Sequence, residues 1–240
     1  MERLRNFQLM DGVDSSLEIR QYMDLDYVLR LLETRSYFVK WKKCFQDRHE
    51  SRLPIKAMFR IQPVGCGCNN GSNNENAIDI AKDLDKIKKF TESGCMLTAC
   101  WTERKGESAL MWQNFTTKMG ACIKSTIHNF IASFEGDDYE IRCGRMSYTG
   151  ISAGQDLLES LFTKDQAFKE EKEIRFYFIP KVSLAPCEKV KNAQIRVLPD
   201  VMIDEIMLSP YIDPKAQDIL KQVISEKYNI KVTSSKMEIK

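Results

Sequence analysis

Apolar residues recur along this chain at two periods, and each period predicts a different element. Leu25, Val28, Leu29, Leu31 and Leu32 fall three and four residues apart behind Asp24, a good helix cap, so a helix is expected over about 24–34. Ile80, Leu84, Ile87 and Phe90 line one face of a second helix, 77–92, with lysines opposite. Leu110, Met111 and Phe115 mark a third over 108–119, and further helices are expected from Ile127 and around 153–162. The best-marked helix has Asp213 as its cap, Pro214 in its first turn and an end near Tyr228.

Short apolar or alternating runs bounded by turn formers predict strands over 16–22, 95–101, 121–125, 139–143, 145–148, 205–208 and 230–232, with Gly144 as a turn or bulge. The run 173–179 is another, stopped by Pro180. Helices and strands interleave without strict βαβ alternation. That order predicts an α+β fold: a single domain over 1–240 with a twisted, mostly antiparallel central sheet flanked by helices. Residues 195–240 are a candidate C-terminal appendage. The stretch 65–76, GCGCNNGSNNEN, holds turn formers and nothing for a core. It is read as a surface loop, with a functional lid as the sharper alternative.

Composition narrows the class without naming an activity. A chain of 240 residues buries roughly 70% of its unfolded surface and needs no covalent staples. Thirty-six basic against thirty-four acidic residues leave +2, too even to announce a nucleic-acid surface. No stretch approaches ~18 apolar residues, so no membrane partner is expected. The charged start Met1-Glu2-Arg3-Leu4-Arg5 is followed by no signal-like apolar run, and eight scattered cysteines are then read as reduced thiols of a cytoplasmic protein. Cys66 and Cys68 lack a second pair, and only His49 and His128 exist, so no metal site is expected. There is no Gly-x-Gly-x-x-Gly, no phosphate-loop Gly-Lys-Ser/Thr and no Gly-x-Ser-x-Gly elbow.

Four patches stand out in order. They are Arg20-Gln21-Tyr22-Met23 with Ser36-Tyr37-Phe38; Asp47-Arg48-His49-Glu50; Trp101-Thr102-Glu103 with Glu107-Ser108, Met111-Trp112 and 120–126; and Phe168, Glu171, Glu173 and Arg175. With Leu208-Ser209-Pro210 before the last helix, this set resembles a bacterial and phage family of unknown function, over about residues 18–235. That family usually carries a basic residue directly before the tyrosine; Gln21 stands there, with Arg20 one place earlier.

Glu171-Lys172-Glu173, read at the head of a strand, would put two carboxylates on one face. Paired acids suit glycosidic chemistry through an oxocarbenium-like transition state. The order arginine, Ser-Thr strand, Glu-x-Glu is similar to that of NAD-dependent ADP-ribosyltransferases. The resemblance implies that Arg20 holds the pyrophosphate, Ser125 and Thr126 support the nicotinamide site with Tyr22, Glu173 is catalytic, and Glu171 is the helper acid. It implies NAD as substrate, an acceptor that is protein or nucleic acid, and a role as toxin or effector in bacteria–phage conflict.

Other readings stay open. Glu-x-Glu-x-Arg, ending at Arg175, is also the pattern of a cross-strand salt-bridge ladder. Asp47, Glu50, Glu171 and Glu173 are oxygen ligands of the kind a magnesium-dependent nuclease uses. Trp101, Trp112, Tyr22 and Phe38 could instead stack bases in a non-enzymatic binding module, with Glu107 beside them.

Overall fold

The computed structural model describes residues 7–10, 12–41, 97–149, 161–181 and 192–237. Ten strands among these residues form one sheet in the order β1-β6-β7-β4-β2-β5-β9-β10, with β3 and β8 branching from β4. In chain order they are β1 (Phe7–Leu9), β2 (Glu18–Asp24), β3 (Ser36–Trp41), β4 (Leu97–Thr102), β5 (Gly120–Thr126), β6 (Tyr139–Arg145), β7 (Glu173–Pro180), β8 (Asn192–Arg196), β9 (Glu205–Leu208) and β10 (Val232–Ser234). The interior pairings are antiparallel; the outermost pairs, β1 with β6 and β10 with β9, are parallel. The α+β expectation holds, with a mixed sheet.

Helices α1 (Leu25–Thr34), α2 (Ala109–Phe115), α3 (Ile127–Ala132), α4 (Pro199–Met202) and α5 (Pro214–Tyr228) surround it. Asp213 caps α5 by accepting the Lys215 and Ala216 amides, and Pro214 fills the first turn, as the sequence predicts. The expected helix over 77–92, the 65–76 loop, and all but the last two residues of the helix expected around 153–162 lie outside the described residues.

Alternation along the strands sorts the side chains onto two faces. Ile19, Trp101, Ala121, Ile123, Ile174, Phe176 and Ile206 point to the principal core, which α1 and α3 cover. Phe130 of α3 sits at its centre, 4.6 Å from Phe176 and 4.8 Å from Trp101 by ring centroids. Ile206, Leu208, Ile224 and Ile230 join that same core, so the segment from about 195 shares its packing. The opposite face carries two smaller apolar clusters, Tyr22–Met111–Trp112–Cys122–Met207 and Met146–Leu161–Phe162–Tyr177.

One expectation is corrected here. Gly144 does not separate two strands; β6 runs through it unbroken, each residue in register with β7. A Cβ at this position would lie 2.9 Å from the Phe162 ring and 3.0 Å from Met10. The glycine lets an aromatic ring lie on the strand.

Candidate functional site

The sheet forks beside β4. Strand β2 meets β4 only at Arg20 opposite Thr102, while β3 takes the same edge of β4 at its other end, Lys40 opposite Thr98. Between these points the backbone groups of β2 and β4 have no ladder to share. Gln21 spans the gap: its Nε2 donates to the Cys100 carbonyl at 3.0 Å, and Tyr37 donates its hydroxyl to Gln21 Oε1 at 2.8 Å. A cleft of about 400 Å³ opens at this fork, and Arg20, Tyr22, Glu171, Glu173 and Arg175 all line it. That volume is within the usual range for a small-molecule pocket.

The acidic pair reaches the cleft by a route the sequence does not suggest. Glu171 is not in the strand. It ends a 3₁₀ helix, Gln166–Glu171; Lys172 follows in the left-handed region at φ 46°, and Glu173 opens β7. The carboxylates therefore meet through a shared cation, not by strand alternation. Lys164 Nζ lies 2.6 Å from Glu171 Oε2 and 3.1 Å from Glu173 Oε2. Arg175, fully buried, holds the other Glu173 oxygen with Nε at 2.7 Å and Nη2 at 2.6 Å. Thr102 donates to the Glu171 carbonyl at 2.6 Å, and the Glu173 amide donates to the Tyr148 hydroxyl at 2.9 Å, so the backbone of both acids is anchored too.

These surroundings push the two acids apart. Burial would raise Glu173, but Arg175 and Lys164 outweigh it and hold the carboxyl below its ordinary range. Burial raises Glu171, and the Lys164 bond offsets this only in part. Lys164 itself loses some proton affinity to burial and regains more from the two carboxylates, ending above its ordinary value. The site thus offers one carboxylate fixed as an anion and one that holds a proton more readily, the division of labour that acid–base chemistry uses.

On the other side of the cleft, Arg20 is 8% exposed, with Nε and Nη2 on Glu18 Oε1 at 3.0 and 2.7 Å. Tyr22 packs edge-on against Trp112, centroids 4.8 Å apart, and burial raises its hydroxyl pKa.

Several expected site residues take other places. Ser125 is fully buried on the core face, in register with Ile19, because its neighbour Lys124 pairs with Arg20 on the cleft face. Its hydroxyl donates to the Thr126 carbonyl at 3.1 Å. Thr126 caps α3 by accepting the Asn129 amide at 3.0 Å. Neither lines the cleft. Glu107 accepts the Trp112 indole N–H at 3.4 Å, the Lys236 amide at 2.8 Å and the Ser235 hydroxyl, tying the C-terminal segment to α2. Trp112 is fully buried in the cluster with Tyr22, Met111, Cys122 and Met207 and does not line the cleft. Asp47 and Glu50 lie outside the described residues, and no group of three or more metal-ligating side chains exists among the described ones.

Lys164 and Cys100 are the residues that sequence reasoning missed. Lys164 is seven residues before Glu171 and no periodicity links them; the 3₁₀ turn brings it back. Cys100 sits in the cleft in register with Arg175, and its thiol donates to Glu173. Its place depends on the register between β4 and β7, which neither strand declares by itself.

No family model matches the chain, and no curated protein matches it. Among solved structures it is similar to DarT of Thermus sp. 2.9 in complex with carba-NAD+, at 7% identity and a TM-score of 0.40, over 93% of this chain and 97% of that one. No helix among the described residues is long and apolar enough to cross a membrane.

Proposed function

We propose that this chain is an ADP-ribosyltransferase-like enzyme that consumes NAD. The supporting observation is that Arg20, Tyr22, Glu171 and Glu173 line one cleft at the fork between β2 and β4. Arg20 offers a guanidinium for the pyrophosphate, and the Tyr22 ring walls the cleft beside it, two residues along β2. Nicotinamide leaves from the anomeric carbon and the ribose becomes an oxocarbenium. Glu173, held anionic and oriented by Arg175 and Lys164, opposes that developing positive charge without needing to reorganise. Glu171, with its raised proton affinity, takes the proton of the acceptor nucleophile as the new glycosidic bond forms. Ser125, on the far face of the sheet, has no part in this scheme. The biological setting that goes with it is that of an effector in bacteria–phage conflict, acting on a protein or nucleic-acid acceptor.

The test is nicotinamide release from NAD by the purified chain. Glu173→Gln keeps the shape of the side chain and loses the charge, so the release rate should fall about 100-fold or more. NAD affinity should stay within about threefold, because the interaction is made in the transition state. Release at the wild-type rate by a folded Glu173→Gln protein refutes the assignment. Mass spectrometry of a lysate incubated with NAD then identifies the acceptor from the mass added to protein or nucleic acid.

A further inference from the structure

The cleft has two chemically different ends. Arg20, Thr102 and Glu173 sit in register at its ionic end. Four residues along β2, at about 3.3 Å per residue, the chain is roughly 13 Å away and has reached Asp24, where α1 begins. There the lining turns aromatic, with Tyr27 on α1, Phe115 on α2 and Phe38 on β3. Tyr27 is 48% and Phe115 44% exposed, unusual for large rings in a concave wall. The Arg30 guanidinium lies 5.9 Å from the Tyr27 ring centre and 5.8 Å from that of Phe38, which fixes both rings against one cation.

The two helices that carry Tyr27 and Phe115 are clamped together. Asp24 Oδ1 accepts the Thr117 amide at 2.5 Å, and the Leu25 amide donates to the Met119 carbonyl at 2.8 Å. The rings therefore stand on a fixed frame. A carboxylate that also lines the cleft lies next to them, with a second oxygen to offer a donor.

We propose that this end of the cleft is a nucleobase site, at which Tyr27 and Phe115 present ring faces to a purine and Asp24 accepts its exocyclic amine. The inference rests on the NAD reading for what joins the two ends: the purine base of the dinucleotide lies at Tyr27 and Phe115, and the nicotinamide ribose at Glu173. Stacking on aromatic side chains is worth enough per base to be read directly as affinity. Asp24 adds selection for a purine bearing an amino group over one bearing a carbonyl.

The test uses AMP, IMP and nicotinamide mononucleotide as separate probes, with binding measured by calorimetry and by competition against NAD turnover. The wild-type protein should bind AMP more tightly than IMP, and AMP should compete with NAD. The double variant Tyr27→Ala/Phe115→Ala should lose about tenfold or more in AMP affinity and keep its affinity for nicotinamide mononucleotide. Both rings are half-exposed, so the fold should tolerate their loss, and Tyr27→Phe should restore AMP binding if stacking is the cause. Asp24→Asn keeps the oxygen that caps Thr117 and should erase the preference for AMP over IMP. AMP binding unchanged in the double variant, or lost together with nicotinamide mononucleotide binding, overturns the proposal. If AMP binds as described and NAD is never cleaved, the base site stands and the transferase reading fails. If NAD is cleaved and AMP neither binds nor competes, the reverse holds.

Discussion

Replacing Lys164 by methionine removes the one ammonium that touches both acids while keeping most of the side-chain volume. Three groups bear on the outcome: Lys164 at 10% side-chain exposure, Glu171 at 14% and Glu173 at 4%. Breaking a buried ion pair on one side costs about 3–5 kcal/mol, chiefly because a charge is stranded. Glu173 keeps Arg175, so the stranded charge is Glu171, which still reaches some water. A loss of about 2–3 kcal/mol near pH 8 is expected. The pH dependence separates this cause from lost packing. Glu171 already lies above the ordinary carboxylate range in the intact protein and moves further up without its cation. A carboxyl raised in the folded state stabilises the fold below its unfolded pKa and loses that contribution as pH rises through the folded one. The variant should therefore approach wild-type stability as pH falls toward 5 and diverge from it toward pH 8. Lys164's own contribution, from a pKa raised above the lysine range, is present throughout that window and disappears only in strong alkali. Urea unfolding at half-unit steps of pH measures the gap. A gap that is constant between pH 5 and 8, or absent, refutes the reasoning. In turnover the proposed role of Glu171 as base predicts that the same substitution moves the acidic limb of the pH–rate profile upward, since a base must first lose its proton.

Glu205 gives the opposite sign. Burial raises it, but Thr233, Lys124 and Lys231 together hold it at about 2, so its contribution is present above the ordinary carboxylate pKa and lost as pH falls from about 4.5 toward 2. Glu205→Gln should cost about 1–2 kcal/mol at pH 7 after solvent screening, and the difference from wild type should shrink below pH 4.5 in urea titrations; a constant difference counts against the ion-pair explanation. Gly144→Ala would press a methyl into the Phe162 ring and should lower stability by about 1–3 kcal/mol, seen as a reduced melting temperature. A raised melting temperature would mean that the ring moves aside freely.

Much of this frame is legible in periodicity, and the misses share one cause. Asp213-Pro214 and the spacing through Leu32 mark helices because capping and an apolar stripe are local properties. The strand from Glu173 is also local, as Pro180 ends it. Ser125 is misplaced because its face depends on the register between β2 and β5, a long-range fact that a single strand cannot declare. Glu171 and Glu173 do converge, but the alternation argued for them fails at Lys172, whose left-handed backbone no pattern announces. β8 does alternate, with Ala193, Ile195 and Val197 set between Asn192, Gln194 and Arg196, but it joins the sheet only by pairing with β3 across more than 150 residues of chain, which no local pattern declares.

The salt-bridge ladder and the proposed catalytic pair, set against each other on sequence grounds, involve the same side chains. Lys164, Glu171, Glu173 and Arg175 carry two charges of each sign, so the group can be buried without net charge. A ladder built only for stability would gain nothing by bordering a cleft, because solvent weakens each pair that it reaches. Here both acids line the cavity, and the more buried one has its oxygens divided between two cations that fix its orientation. That is the arrangement electrostatic catalysis requires: the cost of orienting a charge is met when the chain folds, before any substrate arrives. Under the transferase reading proposed above, the ladder is the means by which Glu173 would be made ready, and Glu171, held by Lys164 alone through its side chain, would be the member of the group that exchanges a proton.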